Sequence, residues 1–325
     1  MVCGCSTFKH RQRCRRTGLP HSAKPHARIL PQRGTKMRKK SNFAPVLLGT
    51  LTAALLLAGC GRSAGSETAK ADTASAAESS STSDDHLARI QNAGKITVGL
   101  EGDWQPFSYH DSDDNLVGYD VEVAKNIASH LGVEADLVEG PWDGLFAGMD
   151  SGRYDIVVNG VDITPDRQQK YDFSDPYAYD HTVLIVRDDN TDITSFEDLA
   201  GKKTANSIGS TYQEIGEQYG ATVSGVDTLV ETLQMVQNGQ VDATLNAATS
   251  FGDYMKANPD APLKIAATSK EATSYAIPMK KGDDNASLLA AINEALSAMR
   301  EDGTLSSLSE KYFGDDLTEN SQSSQ

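Results

Sequence analysis

From residue 95 to residue 313, short β-branched runs and amphipathic stretches take turns, and this alternation constrains the fold more than any other feature. Lys95–Leu100 alternates like a strand. Residues 119–131 set Val123, Ala124, Ile127, Ala128 and Leu131 at helical spacing, and Gly132 stops them. A strand at 133–138, a short helix at 142–149, a strand at 155–158 and another at 182–186 follow. A second series opens with Ser195 capping a short helix and continues through a strand at 202–206. Thr211 and Glu214 form a capping box there, opening a helix to residue 219. An amphipathic helix at 227–237, a strand at 241–246, a helix at 250–257, strands at 263–266 and 274–279, and helices at 283–301 and 304–313 complete it. Such alternation predicts an α/β fold with mainly parallel sheets. Two series predict two lobes, with a ligand at the strand ends between them.

Within the first series, one handover carries chemistry. The strand at 155–158 runs into Asn159-Gly160-Val161-Asp162-Ile163-Thr164-Pro165-Asp166-Arg167. Proline suits the first helical position because it has no N–H to lose, and Thr164 can cap that helix. A helix start leaves backbone N–H groups unpaired and carries a partial positive charge, so it accepts anions. Arg167 adds a planar fork of donors matched to a carboxylate. Asp162 sets a negative group nearby. An anion site beside a cation site is what an α-amino acid needs, although a capped helix whose Arg and Asp pair with each other or with water fits the same residues.

Charge is unevenly spread over the 325 residues. Net charge is −15, yet residues 1–36 carry three Lys and six Arg and no acid. Residues 60–325 carry 18 bases against 45 acids, a net of −27. A body this acidic is unsuited to nucleic acid. All four cysteines, Cys3, Cys5, Cys14 and Cys60, fall in the first 60 residues. The body therefore has no disulfide, thiol nucleophile or cysteine metal site, its histidines lack ligand spacing, and neither metal nor cofactor is expected.

The N-terminal region reads as an address. Residues 1–36 lack periodicity, and Met37 is the expected true start, which makes 1–36 an upstream misreading. Arg38-Lys39-Lys40, an apolar run over 43–58 and then Leu57-Ala58-Gly59-Cys60 make a secretory signal at 37–59. The ending Leu-Ala-Gly-Cys resembles the lipobox of bacterial lipoproteins, which implies cleavage before Cys60 and lipid on it. Residues 60–86, rich in Ser, Ala, Thr and acid, would be the lipidated cysteine and a flexible tether.

Several motifs, in order, resemble the extracellular solute-binding proteins of polar amino-acid ABC importers. They are Val98-Gly99-Leu100-Glu101-Gly102-Asp103-Trp104-Gln105-Pro106-Phe107-Ser108-Tyr109, the run from Leu116 to Ala124, and Trp142-Asp143-Gly144-Leu145. Ile163-Thr164-Pro165-Asp166-Arg167, the run from Tyr171 to Tyr177, and Gly239 to Asn246 follow. The likeness spans about residues 87–314. It implies a two-lobed periplasmic-binding-protein-like (type II) α/β fold with two hinge strands. Lobe 1 would take 87–184 plus 278–325 and lobe 2 would take 185–277, with hinges at Thr182–Arg187 and 274–279.

The resemblance also implies roles. Arg167 would hold the α-carboxylate, joined by Thr211 from the second lobe. Trp104 and Trp142 would wall the side chain, Asn159 and Gly160 would meet the amino group, and Glu101 would sit at the rim. Ser210, Tyr212 and Asn246 complete the expected set. In one place the chain departs from the pattern. Many relatives carry an Asp after the strand at 241–246 to pair the α-ammonium, and here that position is Ala247. Asp162, where many relatives have an uncharged Ser or Thr, is the candidate replacement.

The function implied is a lipid-anchored, non-catalytic, monomeric receptor at the outer face of the membrane. It would deliver a polar amino acid to a permease and an ATPase, and residues 206–214 and 241–254 look closest to the cystine-binding branch. An enzyme on the same scaffold, like cyclohexadienyl dehydratase, would need Glu101 or Asp162 as a general acid with raised pKa. A ligand-sensing domain is the third reading.

Overall fold

In the computed structural model, residues 85–320 are described; residues 1–36, the signal at 37–59, Cys60 and most of the expected tether lie outside them. The tether ends earlier than expected, because Asp85 caps a helix, His86–Ala93, by accepting the Ala88 N–H at 2.8 Å. His86 then fastens that helix by hydrogen bonds to Asn285 at 2.5 Å and Asp155 at 2.7 Å.

Two five-stranded sheets organise these residues. The first runs in the order Glu134–Glu139, Lys95–Leu100, Ile156–Val157, Pro278–Lys280, Tyr171–Phe173. The second runs Thr222–Gly225, Lys203–Asn206, Ala243–Ala247, Thr182–Arg187, Leu263–Thr268. In each sheet the first three strands are parallel and the last two join antiparallel. Mainly parallel pairing therefore holds for only half of each sheet, because a strand arriving from the other lobe completes the far side.

The helix Tyr119–His130 exists for its inner stripe: Val123, Ala124, Ile127 and Ala128 are buried in one cluster with Ile96 and Val98. The same cluster takes Leu288, Ile292 and Leu296 from Ala286–Glu301 and Leu305 and Phe313 from Thr304–Phe313, so the closing helices belong to the first lobe. Each such aliphatic side chain contributes about 1.5–3 kcal/mol by leaving water.

Thr182–Arg187 is not a hinge. Val183 and Ile185 pack into one cluster and Leu184 and Val186 into the cluster on the opposite face, all at most 1% exposed. A strand buried on both faces is the middle of a sheet, and the boundary expected between residues 184 and 185 would cut it. The crossings lie just outside it, at Ala178–Asp180 and Thr273–Ala276, which pair antiparallel in a small sheet with Val161–Asp162. Asp180 ties this hinge to the second lobe by accepting from the Thr249 hydroxyl at 2.6 Å.

Candidate functional site

The cleft between the sheets is built on a floor that only glycine permits. Gly160 has φ 49°, and a Cβ there would stand 2.6 Å from Cζ3 of Trp104. Trp104 lies flat on Phe107, centroids 4.2 Å apart, and its indole N–H donates to Asn246 Oδ1 at 3.3 Å across the cleft. Beneath, the Gly160 N–H donates to the Tyr177 hydroxyl at 3.0 Å, and that hydroxyl donates to the buried Asp120 at 2.7 Å. Burial pushes the Asp120 carboxyl up to about 7.

Three further carboxyl groups face the cavity. Burial lifts Glu101 to about 8, opposed by the amide of Asn159, which donates to Glu101 Oε2 at 2.7 Å. Asn159 also accepts the Glu101 N–H at 2.8 Å, so it positions Glu101 from behind and is not itself a wall. Asp103 is raised by burial first and then by the charges of Glu139, Asp227 and Glu231. Asp162, 7% exposed, is pushed up to about 6 by burial, against the pull of the Thr211 hydroxyl and the Arg167 charge.

The opposite wall is the start of the helix Thr211–Gln218. Its cap is Ser210, which accepts the Gln213 N–H at 3.1 Å, so Thr211 is the first helical residue and not the cap. Freed from capping, the Thr211 hydroxyl donates to Asp162 Oδ2 across the cleft. Tyr212 lines the cavity nearby, its hydroxyl 3.4 Å from that of Tyr275.

Arg167 rides on Pro165–Lys170, a helix capped by Thr164 as expected, its N–H meeting Thr164 Oγ1 at 3.2 Å. Its guanidinium is buried at the lobe junction, donating to the carbonyls of Asp162 at 3.1 Å and Gly209 at 3.2 Å. It lies 5.3 Å from the ring centres of both Trp142 and Phe146. It reaches across the cleft but does not line the cavity.

The structure thus gathers Glu101, Trp104, Trp142, Gly160, Asp162, Ser210, Thr211, Tyr212 and Asn246 around one space, with Asn159 and Arg167 behind its walls. Asp103, Ser207, Thr228 and Leu229 join them without having been expected. Thr228 was signalled by Glu231 three residues on: Thr228 caps Leu229–Gln237, accepting the Glu231 N–H at 3.2 Å. The cavity holds about 40 Å³, room for a few waters.

A family profile, "Bacterial extracellular solute-binding proteins, family 3", matches residues 96–315. The chain is 43% identical over 235 residues to the L-cystine-binding protein TcyA of Bacillus subtilis, covering 72% of this chain and 87% of that protein. It resembles an ancestral arginine-binding protein bound to arginine with TM-score 0.64 and 36% identity, over 68% of this chain and 99% of that one. To the unliganded, open L-cystine solute receptor of Neisseria gonorrhoeae the TM-score is 0.50 at 39% identity, over 72% and 99%. The better fit to the arginine-bound structure accords with side chains meeting across the cleft. These relatives are solute-binding proteins and not enzymes, and with them this chain belongs to the family 3 bacterial extracellular solute-binding proteins.

Proposed function

We propose that this protein is the receptor of an ABC importer, taking up a polar amino acid from outside the cell. One observation carries the reading. Asp162 with Thr211, Trp104 with Asn246, and Arg167 with Gly209 each join a residue of one lobe to a residue of the other, around a single cavity. A solute caught there ties the lobes together, so closure depends on the solute and the closed body reports its presence. Delivery needs a membrane permease and a cytoplasmic ATPase. Cystine heads the candidate solutes because TcyA is an L-cystine-binding protein, and arginine follows from the arginine-bound neighbour. The negative partner that Ala247 cannot supply is Asp162, and Glu101 stands ready beside it.

In this reading the chain acts as a monomer, is cut before Cys60 and is held to the outer membrane face by lipid on that residue. The basic head, apolar run and Leu-Ala-Gly-Cys ending support it. A thermal-shift panel of amino acids tests the receptor role. A solute at 100 times its Kd adds about 2.7 kcal/mol, and native mass spectrometry of the protein as isolated identifies any solute it carries. A panel with no stabilising amino acid contradicts it.

A further inference from the structure

The helices of the second lobe do not all begin alike. Thr211–Gln218 and Leu229–Gln237 are closed by the residues just before them, Ser210 and Thr228, whose hydroxyls accept the Gln213 and Glu231 N–H groups. Ala248–Ala257 follows Ala247, which has the extended backbone of a cap, φ −61° and ψ 137°, but no side-chain acceptor. A helix start without acceptors strands backbone N–H groups. Here the acceptors come from the crossing strand Ala178–Asp180 and the residue after it. Asp180 Oδ2 accepts the Thr249 N–H at 3.3 Å and the Thr249 hydroxyl at 2.6 Å, and the His181 carbonyl accepts the Ala248 N–H at 2.9 Å. Thr249 is the second residue of its helix, one of the two places where a capping side chain delivers its oxygen.

Asp180 is buried, and its second oxygen, Oδ1, accepts the His181 N–H at 2.7 Å. All three of these donors are neutral, so the partial positive charge of the helix start is what favours a carboxylate there. The same helix start adjoins the cavity. Asn246, two residues before the helix, lines it, and Asn246 Oδ1 accepts the Ala247 N–H at 2.9 Å. In the sheet, Thr182 and Val183 lie opposite Ala247 and Asn246. Asp180 stands where the crossing strand, the helix start and the cavity wall meet.

We propose that Asp180 is a positioning residue of the hinge: it caps the helix Ala248–Ala257 from outside that helix, and so fixes the cavity residue Asn246 to the strand that crosses between the lobes. Its part in solute capture rests on the receptor reading, in which movement of the hinge is passed to the second wall through this cap. The test needs no solute, so the two can fail separately.

The test is NMR of the purified protein and its Asp180→Ala and Asp180→Asn variants, following amide hydrogen exchange and the side-chain amide signals of Asn246. In Asp180→Ala the Ala248 and Thr249 amides should lose at least tenfold in protection, while those of Leu229–Gln237, capped by Thr228, stay within twofold. The Asn246 signals should shift in the same variant. Asp180→Asn keeps an acceptor of the same reach and should return both readouts to near their wild-type values. Equal loss in the two helices means general loosening and overturns the proposal. Unmoved Asn246 signals, or an Asn variant as damaged as the Ala variant, overturn it too. Thr249→Val removes only the hydroxyl donor and decides the matter if Asp180→Ala does not fold. It should lower protection at Ala248 and Thr249 at least threefold and spare Leu229–Gln237, and no loss there contradicts the cap.

Discussion

The two walls of the cleft differ in kind. The first lobe brings carboxyl groups, Glu101, Asp103 and Asp162, and two indoles, Trp104 and Trp142. The second lobe brings Ser207, Ser210, Thr211, Thr228 and Asn246, with Tyr212 and Leu229, and not one charge. One wall can hold a charged solute by itself, while the other can only finish the job with neutral donors and acceptors. In the proposed reading this asymmetry suits capture on the first lobe, followed by closure of the second. In the proposed reading, the charge that alanine at position 247 of the second lobe does not supply comes from Asp162 on the opposite side.

The largest effect that could break this comparison is loss of the first lobe's central charge. Asp162→Asn should weaken solute binding by about 2–5 kcal/mol, the usual cost of removing one partner of a buried charged pair. Titration calorimetry measures it, and binding as tight as wild type removes Asp162 from the account. Next in size is the floor that holds the first wall in place. Among the described residues Asp120 Oδ2 has no hydrogen-bond partner, and the Tyr177 hydroxyl donates to its other oxygen at 2.7 Å. Tyr177→Phe should cost about 1–3 kcal/mol of stability by stranding a buried acid, or a few degrees in melting temperature at roughly 2–4 °C per kcal/mol. An unshifted melting curve would mean the floor does not depend on that hydroxyl.

A third test uses pH. Glu101 sits at about 8 in the fold against an ordinary 4.5, so the folded protein keeps a proton that the unfolded chain gives up. Its contribution to stability is therefore complete below pH 4.5 and lost as pH rises through 8. Holding a solute ammonium runs the other way, because it needs the ionised form. Affinity for the solute should rise between pH 6 and 8, by up to about tenfold per unit, and Glu101→Gln should flatten that rise. A wild-type affinity that is level across this window contradicts an ionised Glu101 in the complex. The smallest expected effect lies on the second wall. Thr211→Ala removes one hydrogen bond to the Asp162 carboxylate and should cost about 1.5 kcal/mol, the low end for a bond to a charged group. A loss equal to that of Asp162→Asn would erase the distinction between the walls.

Much of this was legible in residues. Thr304–Phe313 has the limits its spacing predicts, and Thr164-Pro165 starts its helix as capping chemistry requires. The hinge was displaced because an apolar run such as Val183 to Val186 says a strand is buried but not which sheet buries it. Ser210 and Thr211 are adjacent, and each has a Gln or Glu three residues on, Gln213 and Glu214. Spacing alone cannot choose the cap between them, yet that choice decides whether the Thr211 hydroxyl is free to reach Asp162. Arg167 looked like a wall residue for a similar reason. Its donors match a carboxylate in type, but two of the five go to carbonyls of Asp162 and of the distant Gly209, and only folding brings Gly209 within 3.2 Å.

The most direct measurement is a crystal structure of the protein with the tightest-binding solute of the panel. The account predicts the solute between the lobes, its nitrogen within hydrogen-bond distance of the Asp162 carboxylate and against the face of Trp104 or Trp142. A solute nitrogen held elsewhere, with Asp162 turned away from the cleft, would contradict it.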